Sequence, residues 1–288
     1  MEEHELGKRE KEVRSVRVER TGDADLALIG GYEPHRRRLF NEGLWSPEYL
    51  SKEKNLFFPF AAKSERVTGT KVTDHEHKPT IEKFIAVKLH QSGDRMIFEF
   101  NKLREAYKRG IGIKPVGYMG ELNPDGPRPK YSRGWLYTEI LPHSMSLDSL
   151  SLTQTPIGEK KSLFTALGRT IAKWHFQQNF YHGDLAPRNI LFTMKPGHIM
   201  FHAVDLEKAM FEAKPSEAHR QKELKMFEYE MWRKVCMENG LKQPTDDYPK
   251  INEERKAKID AETASIMEAF RDGYQKYIEE HKQGRAHK

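Results

Sequence analysis

Two acids and an amide in the second half of the chain have the types and spacing to do chemistry. Asp184 and Asn189 lie five residues apart in Tyr181-His182-Gly183-Asp184-Leu185-Ala186-Pro187-Arg188-Asn189-Ile190-Leu191-Phe192, and Asp205 follows sixteen residues after Asn189, in Val204-Asp205-Leu206-Glu207. A phosphoryl-transfer site uses these groups: one carboxylate accepts or orients a hydroxyl proton, while an amide oxygen and a second carboxylate hold a divalent cation against phosphate oxygens. Hard cations such as Mg²⁺ take oxygen ligands, so Asn and Asp suit them where His or Cys would not. The plain alternative for Asp184 is a turn-capping acid. The intervals to Asn189 and Asp205 argue against it.

These groups need elements to carry them. Leu163, Phe164, Leu167, Ile171 and Trp174 recur at helical spacing after Ile157, and Asn179 stops that helix just before the loop. His175 falls within this helix and reads as a packing histidine. The apolar run after Asn189 reads as a buried strand, one of a short pair that delivers Asp205. The chain then turns charged and helical. It closes with an amphipathic helix from about Glu253 to Glu280, with Ile259, Ile266, Phe270, Tyr274 and Tyr277 on one stripe. Upstream, Phe84–Leu89 reads as a strand bearing Lys88. The helix after it places Met96, Ile97, Phe100, Leu103 and Tyr107 at helical spacing and stops at Gly110. Two further strands are expected at Ile113–Tyr118 and Trp135–Leu141, with Asn123–Pro129 as a hairpin loop and Pro142 as the junction. Ser64–Val72 reads as strand–turn–strand with Gly69 at the bend. Residues 1–20 read as a frayed helix or disordered lead-in. The expected organisation is a partly flexible extension over 1–54, a β-rich lobe over 55–141 and a helical lobe over 142–288.

A chain of 288 residues can bury one large core or two lobes. Its 49 basic and 43 acidic residues are interleaved, so the net charge of +6 describes a solvated surface with a mild attraction for anions. No zinc-ligand spacing or basic arm points to nucleic acid. Cys236 is the sole cysteine, which excludes an intrachain disulfide and suits a reducing compartment. Met1-Glu2-Glu3-His4-Glu5 lacks the basic and apolar regions of a leader, and Leu56–Ala62 is far shorter than the ~20 residues of a spanning helix. The expectation is a cytoplasmic protein with at most peripheral membrane contact. No G-x-x-x-x-G-K-[ST] occurs, and no G-x-G-x-x-G follows a strand.

The order of parts, with A-V-K at 86–88, F-E-F-N-K-L-R-E-A-Y-K-R-G-I at 98–111, L-Y-T-E-I-L at 136–141, H-G-D-L-A-P-R-N-I-L at 182–191 and V-D-L-E-K-A at 204–209, resembles the protein-kinase-like fold. Within that fold the chain is most similar to the Kdo/WaaP/InaA lipopolysaccharide kinases and related atypical kinases. The resemblance implies an α+β, two-lobed architecture: a small antiparallel β-sheet N-lobe and a mainly helical, shortened C-lobe. It implies ATP and Mg²⁺, with a nucleotide and a hydroxyl-bearing acceptor as partners, the acceptor being a sugar, glycan or other small molecule. Asp184 would be the catalytic carboxylate that accepts the hydroxyl proton or orients the hydroxyl, and Arg188 a catalytic partner that holds a transferring phosphate, a phenolic hydroxyl or an anionic sugar. Asn189 and Asp205 would hold the metal. Lys88 would neutralise the α- and β-phosphates, held by Glu99, which is preferred to Glu105 because E-F-x-x-L matches the family. Gly69 would lie near the phosphates, and the backbone from Glu139 to Leu141 would meet the adenine. His182 would brace the loop.

Several departures shape this reading. Gly69 alone stands for the glycine-rich phosphate loop. Gly183 occupies the place where regulated protein kinases carry Arg, which removes control of that Arg by activation-loop phosphorylation. Glu207 stands where many kinases have Gly. The segment after Asp205 is short and carries only Lys214-Pro215-Ser216-Glu217 as an echo of A-P-E, which disfavours a peptide platform. D-L-A-P-R-N, however, resembles the D-L-A-A-R-N loop of protein tyrosine kinases. A reduced-form protein kinase, acting on a partner or on itself, is therefore the alternative. A non-catalytic pseudokinase is the third reading, against which the complete Lys/Asp/Asn/Asp set weighs.

Overall fold

Period-two patterning builds the first part of the chain, and helical spacing builds the second. The computed structural model describes residues 16–21, 24–29, 67–73, 82–90, 93–123, 130–139, 141, 143–195, 197–211 and 215–286. It divides into two units: Met1–Lys108 with Gly112–Pro142, and Arg109–Ile111 with His143–Lys288. The apolar run 56–62, the hairpin loop 124–129 and the A-P-E echo at 214 lie outside the described residues.

The first unit holds a six-stranded sheet. Its strands are β1 (Val16–Thr21), β2 (Ala24–Ile29), β3 (Val67–Thr73), β4 (Glu82–His90), β5 (Pro115–Asn123) and β6 (Lys130–Glu139), in the order β1-β2-β5-β6-β4-β3. Every neighbouring pair is antiparallel. Between β4 and β5 runs the helix α1 (Gly93–Lys108), which buries Met96, Glu99, Phe100, Leu103 and Ala106. Those positions form one helical stripe, so Glu99 sits in an otherwise apolar face. Gly110, at φ +70°, follows the end of the helix.

Two expectations are corrected here. Residues 16–21 are a strand, not a frayed helix or lead-in, and β2 hydrogen-bonds to β5. The sheet therefore begins well before residue 54, where an extension was expected to end. Val16-Arg17-Val18-Glu19 alternates apolar and charged residues, and Leu26 and Leu28 alternate in β2, which is the strand period. Gly69 makes no bend: it lies inside β3, opposite Ala86 of β4. Pairing along the whole of β4 overrides the local preference of glycine for turns.

The second unit is mostly helical. It contains β7 (Ser144–Ser146), α2 (Ile157–Phe176), β8 (Ile190–Lys195), β9 (His198–Ala203), α3 (Glu217–Glu238), the short α4 (Pro244–Asp247) and α5 (Glu253–Ala286), with β7-β8-β9 forming a small antiparallel sheet. α2 buries Leu163, Phe164, Leu167, Ile171 and Trp174, and α5 buries Ile259, Ile266, Met267, Phe270 and Tyr274. The two helices touch backbone to backbone. A Cβ on Gly168 would collide with the Phe270 carbonyl and lie 2.9 Å from the Tyr274 nitrogen, and one on Gly273 would collide with the Thr165 carbonyl. Phe227 of α3 packs on Phe270, ring centroids 4.8 Å apart. Cys236 of α3 is fully buried, and that burial pushes its thiol up to about 11. Among the described residues no helix is long and apolar enough to cross a membrane. A small antiparallel sheet unit and a mainly helical unit make this an α+β protein, as the resemblance implied.

Candidate active site

α2 delivers the loop that carries Asp184. After its last turn the chain reverses through Asn179, at φ 49°, and the Phe180 N–H donates to the Trp174 carbonyl at 2.9 Å. Tyr181 then pairs with Met210 through reciprocal backbone bonds of 3.0 and 2.8 Å. At its far end the loop makes a 3-10 turn, Pro187–Asn189, and Val204 N–H donates to the Asn189 carbonyl at 3.0 Å. Between these ties, His182 Nε2 donates to the Val204 carbonyl at 3.0 Å. The segment 181–189 is thus fastened to 204–210 at three places, and Asp184 and Asp205 are carried by one stitched backbone.

His182 is fully buried, and its Nδ1 has no hydrogen-bond partner among the described residues. The ring is a brace between the loop and the Asp205 turn.

The side chains follow from that frame. Asp184 Oδ1 lies 3.4 Å from Arg188 Nη2, and Oδ2 lies 3.4 Å from Lys208 Nζ, so each carboxylate oxygen faces a cation. Arg188 also reaches Glu230 of α3 at 3.2 Å. Asn189 is buried, and its Nδ2 donates to the Asp184 carbonyl at 2.9 Å, which leaves Oδ1 as the acceptor it can offer. Asp205 adopts φ 58°, ψ 62°, a left-handed conformation that Asp tolerates better than most residues. It opens the 3-10 turn Leu206–Lys208, which the buried Leu206 pins. Carboxylate oxygens of Asp205 and Glu207 lie within 4.8 Å of one another. Asp205 and Glu207 offer carboxylate oxygens and Asn189 an amide oxygen, the donor types a hard cation such as Mg²⁺ accepts.

Gly183 explains the missing arginine. At φ +76° it occupies backbone space that L side chains rarely enter, and a Cβ would collide with the Lys208 carbonyl. Its N–H donates to Glu223 Oε1 at 2.8 Å. Glu223 Oε2 takes a 2.7 Å bond from His175 Nε2, and His175 Nδ1 meets the Tyr274 hydroxyl at 2.8 Å. Burial, first, holds the Tyr274 phenol well above its usual range, so its hydroxyl keeps its proton. A buried line therefore runs from α5 through α2 and α3 to the backbone beside Asp184.

The other expected residues belong to the sheet unit. Lys88 lies on β4, opposite Val67 of β3 and Leu136 of β6. Glu99 is 1% exposed on α1, whereas Glu105 is only partly buried. A carboxylate that deep must be compensated by a cation or by donors. Gly69 is inside β3, Glu139 ends β6 opposite Ile85, and Leu141 is half-buried just beyond it.

Lys208, Glu223 and Glu230 escaped the motif reading, and Glu207 entered it only as standing in the place of a glycine. Lys208 had a signal, three residues beyond Asp205 in D-L-E-K. Glu223 and Glu230 had none, since each is one acid among many in a charged helix.

The family model described as "Lipopolysaccharide kinase (Kdo/WaaP) family" matches residues 82–248. No curated protein matches the chain. Among solved structures, one titled "WaaP in complex with acyl carrier protein" is similar over 70% of this chain and 86% of that chain, with a TM-score of 0.41 and 17% identity. The family match spans β4, α1, the Asp184–Asn189 loop, the Asp205 turn and α3, more than half of the 288 residues. The chain therefore belongs to the lipopolysaccharide kinase (Kdo/WaaP) family and is a kinase.

Proposed function

We propose that the protein transfers the γ-phosphate of ATP, with Mg²⁺, to a hydroxyl of a sugar, glycan or related small molecule. The observation that carries this is the stitched backbone of 181–189 and 204–210, which presents Asp184 between Arg188 and Lys208 and Asn189 with its oxygen to offer. Asp184 orients the acceptor hydroxyl in line with the phosphate and takes its proton. Lys208 stabilises charge on the transferring group, and Arg188, beside Asp184, holds the acceptor. Asn189 and Asp205, with Glu207 adjacent, would hold Mg²⁺, which when bound neutralises phosphate charge. In this reading Lys88 would neutralise the α- and β-phosphates, held by Glu99. Gly69 lets the nucleotide approach the edge strand closely, and the backbone of Glu139 and Leu141 meets the adenine. The lipopolysaccharide of the family description favours a glycan acceptor, and a reaction fed by ATP would run in the cytoplasm.

Labelled ATP with Mg²⁺ is offered to the protein alone, with cell protein, and with lipopolysaccharide core sugars. Label should reach the sugars; label on protein that vanishes in Asp184→Ala would instead establish a protein kinase. Asp184→Ala should keep thermal stabilisation by Mg²⁺-ATP and lose transfer, while Asp205→Ala should lose the stabilisation. Equal loss of nucleotide in both variants would overturn the assigned roles.

A further inference from the structure

The catalytic loop continues into an exposed face of α3 that the phosphate chemistry does not use. Arg188 reaches Glu230 at 3.2 Å, and Glu230 is held by Arg233 at 3.1 and 3.3 Å. The Arg233 guanidinium lies 5.9 Å from the Tyr229 ring, which stacks on Trp232 with centroids 5.8 Å apart and planes 28° apart. Residues 229, 232 and 233 share one side of the helix by their i, i+3, i+4 spacing, opposite the buried Phe227, Met231 and Val235. We propose that this face is the acceptor platform: a sugar ring packs on the exposed Tyr229, with Trp232 behind it, and an anionic group of the same glycan is taken by Arg188 and Arg233. The proposal rests on the kinase reading above and says where the acceptor of that reaction lies.

Three observations lead to this occupant. The aromatic wall is exposed at Tyr229 and rigid behind it. Tyr229 is 45% exposed, while Trp232 is wedged between Tyr229 and an edge-on Tyr248 at 5.3 Å. The Tyr248 hydroxyl donates to Asp260 at 2.6 Å, so the wall is set before ligand arrives and little freedom is lost on binding. An apolar ring face with a polar edge suits a pyranose, whose C–H face is apolar and whose rim is hydroxylated. The charges fit too. Two arginines, with side chains 51% and 39% exposed, lean on the one Glu230 carboxylate. Exposed pairs of this kind are weak, so an incoming phosphate or carboxylate can take either guanidinium in fork geometry, leaving Glu230 to accept sugar hydroxyls. Finally, Arg188 connects the platform to the Asp184 carboxylate itself, so an acceptor held by Arg188 has a hydroxyl beside the reacting group.

The test uses the full chain without nucleotide. Glucose 6-phosphate, glucuronic acid, glucose and inorganic phosphate are titrated while the Trp232 indole N–H resonance is followed, assigned by its loss in Trp232→Phe. Both anionic sugars should shift it, at least tenfold more tightly than glucose or phosphate, and Arg233→Gln should remove that preference. In turnover with a core oligosaccharide, Tyr229→Ala should raise the acceptor KM about tenfold and leave the ATP KM unchanged. A silent Trp232 resonance, or a response to phosphate alone that survives Arg233→Gln, would overturn the platform. Stabilisation by Mg²⁺-ATP, measured on the same samples, judges the kinase reading separately.

Discussion

Glu223 offers the sharpest test of how the helices hold the reacting loop. Its carboxylate accepts two buried bonds, from the Gly183 N–H at 2.8 Å and from His175 Nε2 at 2.7 Å, and both His175 and Glu223 are 1% exposed. Glu223→Ala leaves both donors without a partner, at about 1–3 kcal/mol each, and adds a cavity, so the expected loss is about 3–5 kcal/mol. Glu223→Gln keeps the shape and one acceptor for Gly183, but its NH₂ then faces His175. The charge-assisted bond to the ring is replaced by an amide facing a ring nitrogen, at about 1–2 kcal/mol. At about 2–4 °C per kcal/mol for a unit of this size, circular dichroism should show a Tm loss near 10 °C for alanine and a few degrees for glutamine. In turnover, kcat should fall at least tenfold in Glu223→Ala with the ATP KM moving less, because Gly183 holds the backbone beside Asp184. A double-mutant cycle with His175→Ala should be non-additive by more than about 1 kcal/mol. A Glu223→Ala protein within about 1 kcal/mol of the parent, with unchanged kcat, would refute the account of the buried line.

Three further outcomes follow from particular positions. Gly168→Ala should destabilise by about 2 kcal/mol or more, because the collision with the Phe270 carbonyl outweighs a helix-propensity gain of about 1 kcal/mol. Gly158→Ala, in the same helix with nothing near its Cβ, should be neutral or stabilising in the same urea titration. Asp205→Gly should be about 1 kcal/mol more stable than Asp205→Ala, since only alanine resists φ 58°, and both should lose Mg²⁺-dependent nucleotide binding in thermal shift. Stability should also fall at alkaline pH. Burial raises Cys236 to about 11 from 9.0, a hydrogen bond to Asp260 raises Tyr248 to about 12 from 10.0, and burial raises Tyr274. In each case the neutral form is favoured by folding. The contribution is therefore complete below about pH 9 and is lost as pH rises through 11 to 12, about 2 kcal/mol of it from Cys236. Urea midpoints from pH 7 to 12 should show the decline, and Cys236→Ala should reduce its part between pH 9 and 11.

What the sequence disclosed depended on how far apart the contacts lie. The loop 182–189 could be read because its groups are consecutive, and α2 and α5 because Leu163 to Trp174 and Ile259 to Tyr274 repeat at the helical period. β1 and β2 escaped because β2 pairs with β5, Leu26 opposite Glu121, and no local pattern announces a partner so distant. Gly69 misled because a glycine between β-branched residues signals a turn locally, while its seven-residue strand pairs throughout with β4. Glu223 and Glu230 meet the loop only through the placement of α3, a helix so charged that its functional acids look like solvated ones. Lys208 came nearest to being found, since it rides on the motif that carries Asp205.

The burial of Cys236 has a practical result for watching this enzyme work. With its thiol near 11, roughly one molecule in ten thousand carries a thiolate at neutral pH, and the sulfur is sealed in the helical core. Maleimides and disulfide reagents therefore meet a silent background. A cysteine introduced on the surface would accept a single fluorophore or spin label without removing the native one. Slow modification of Cys236 itself would clock the rare openings of α3.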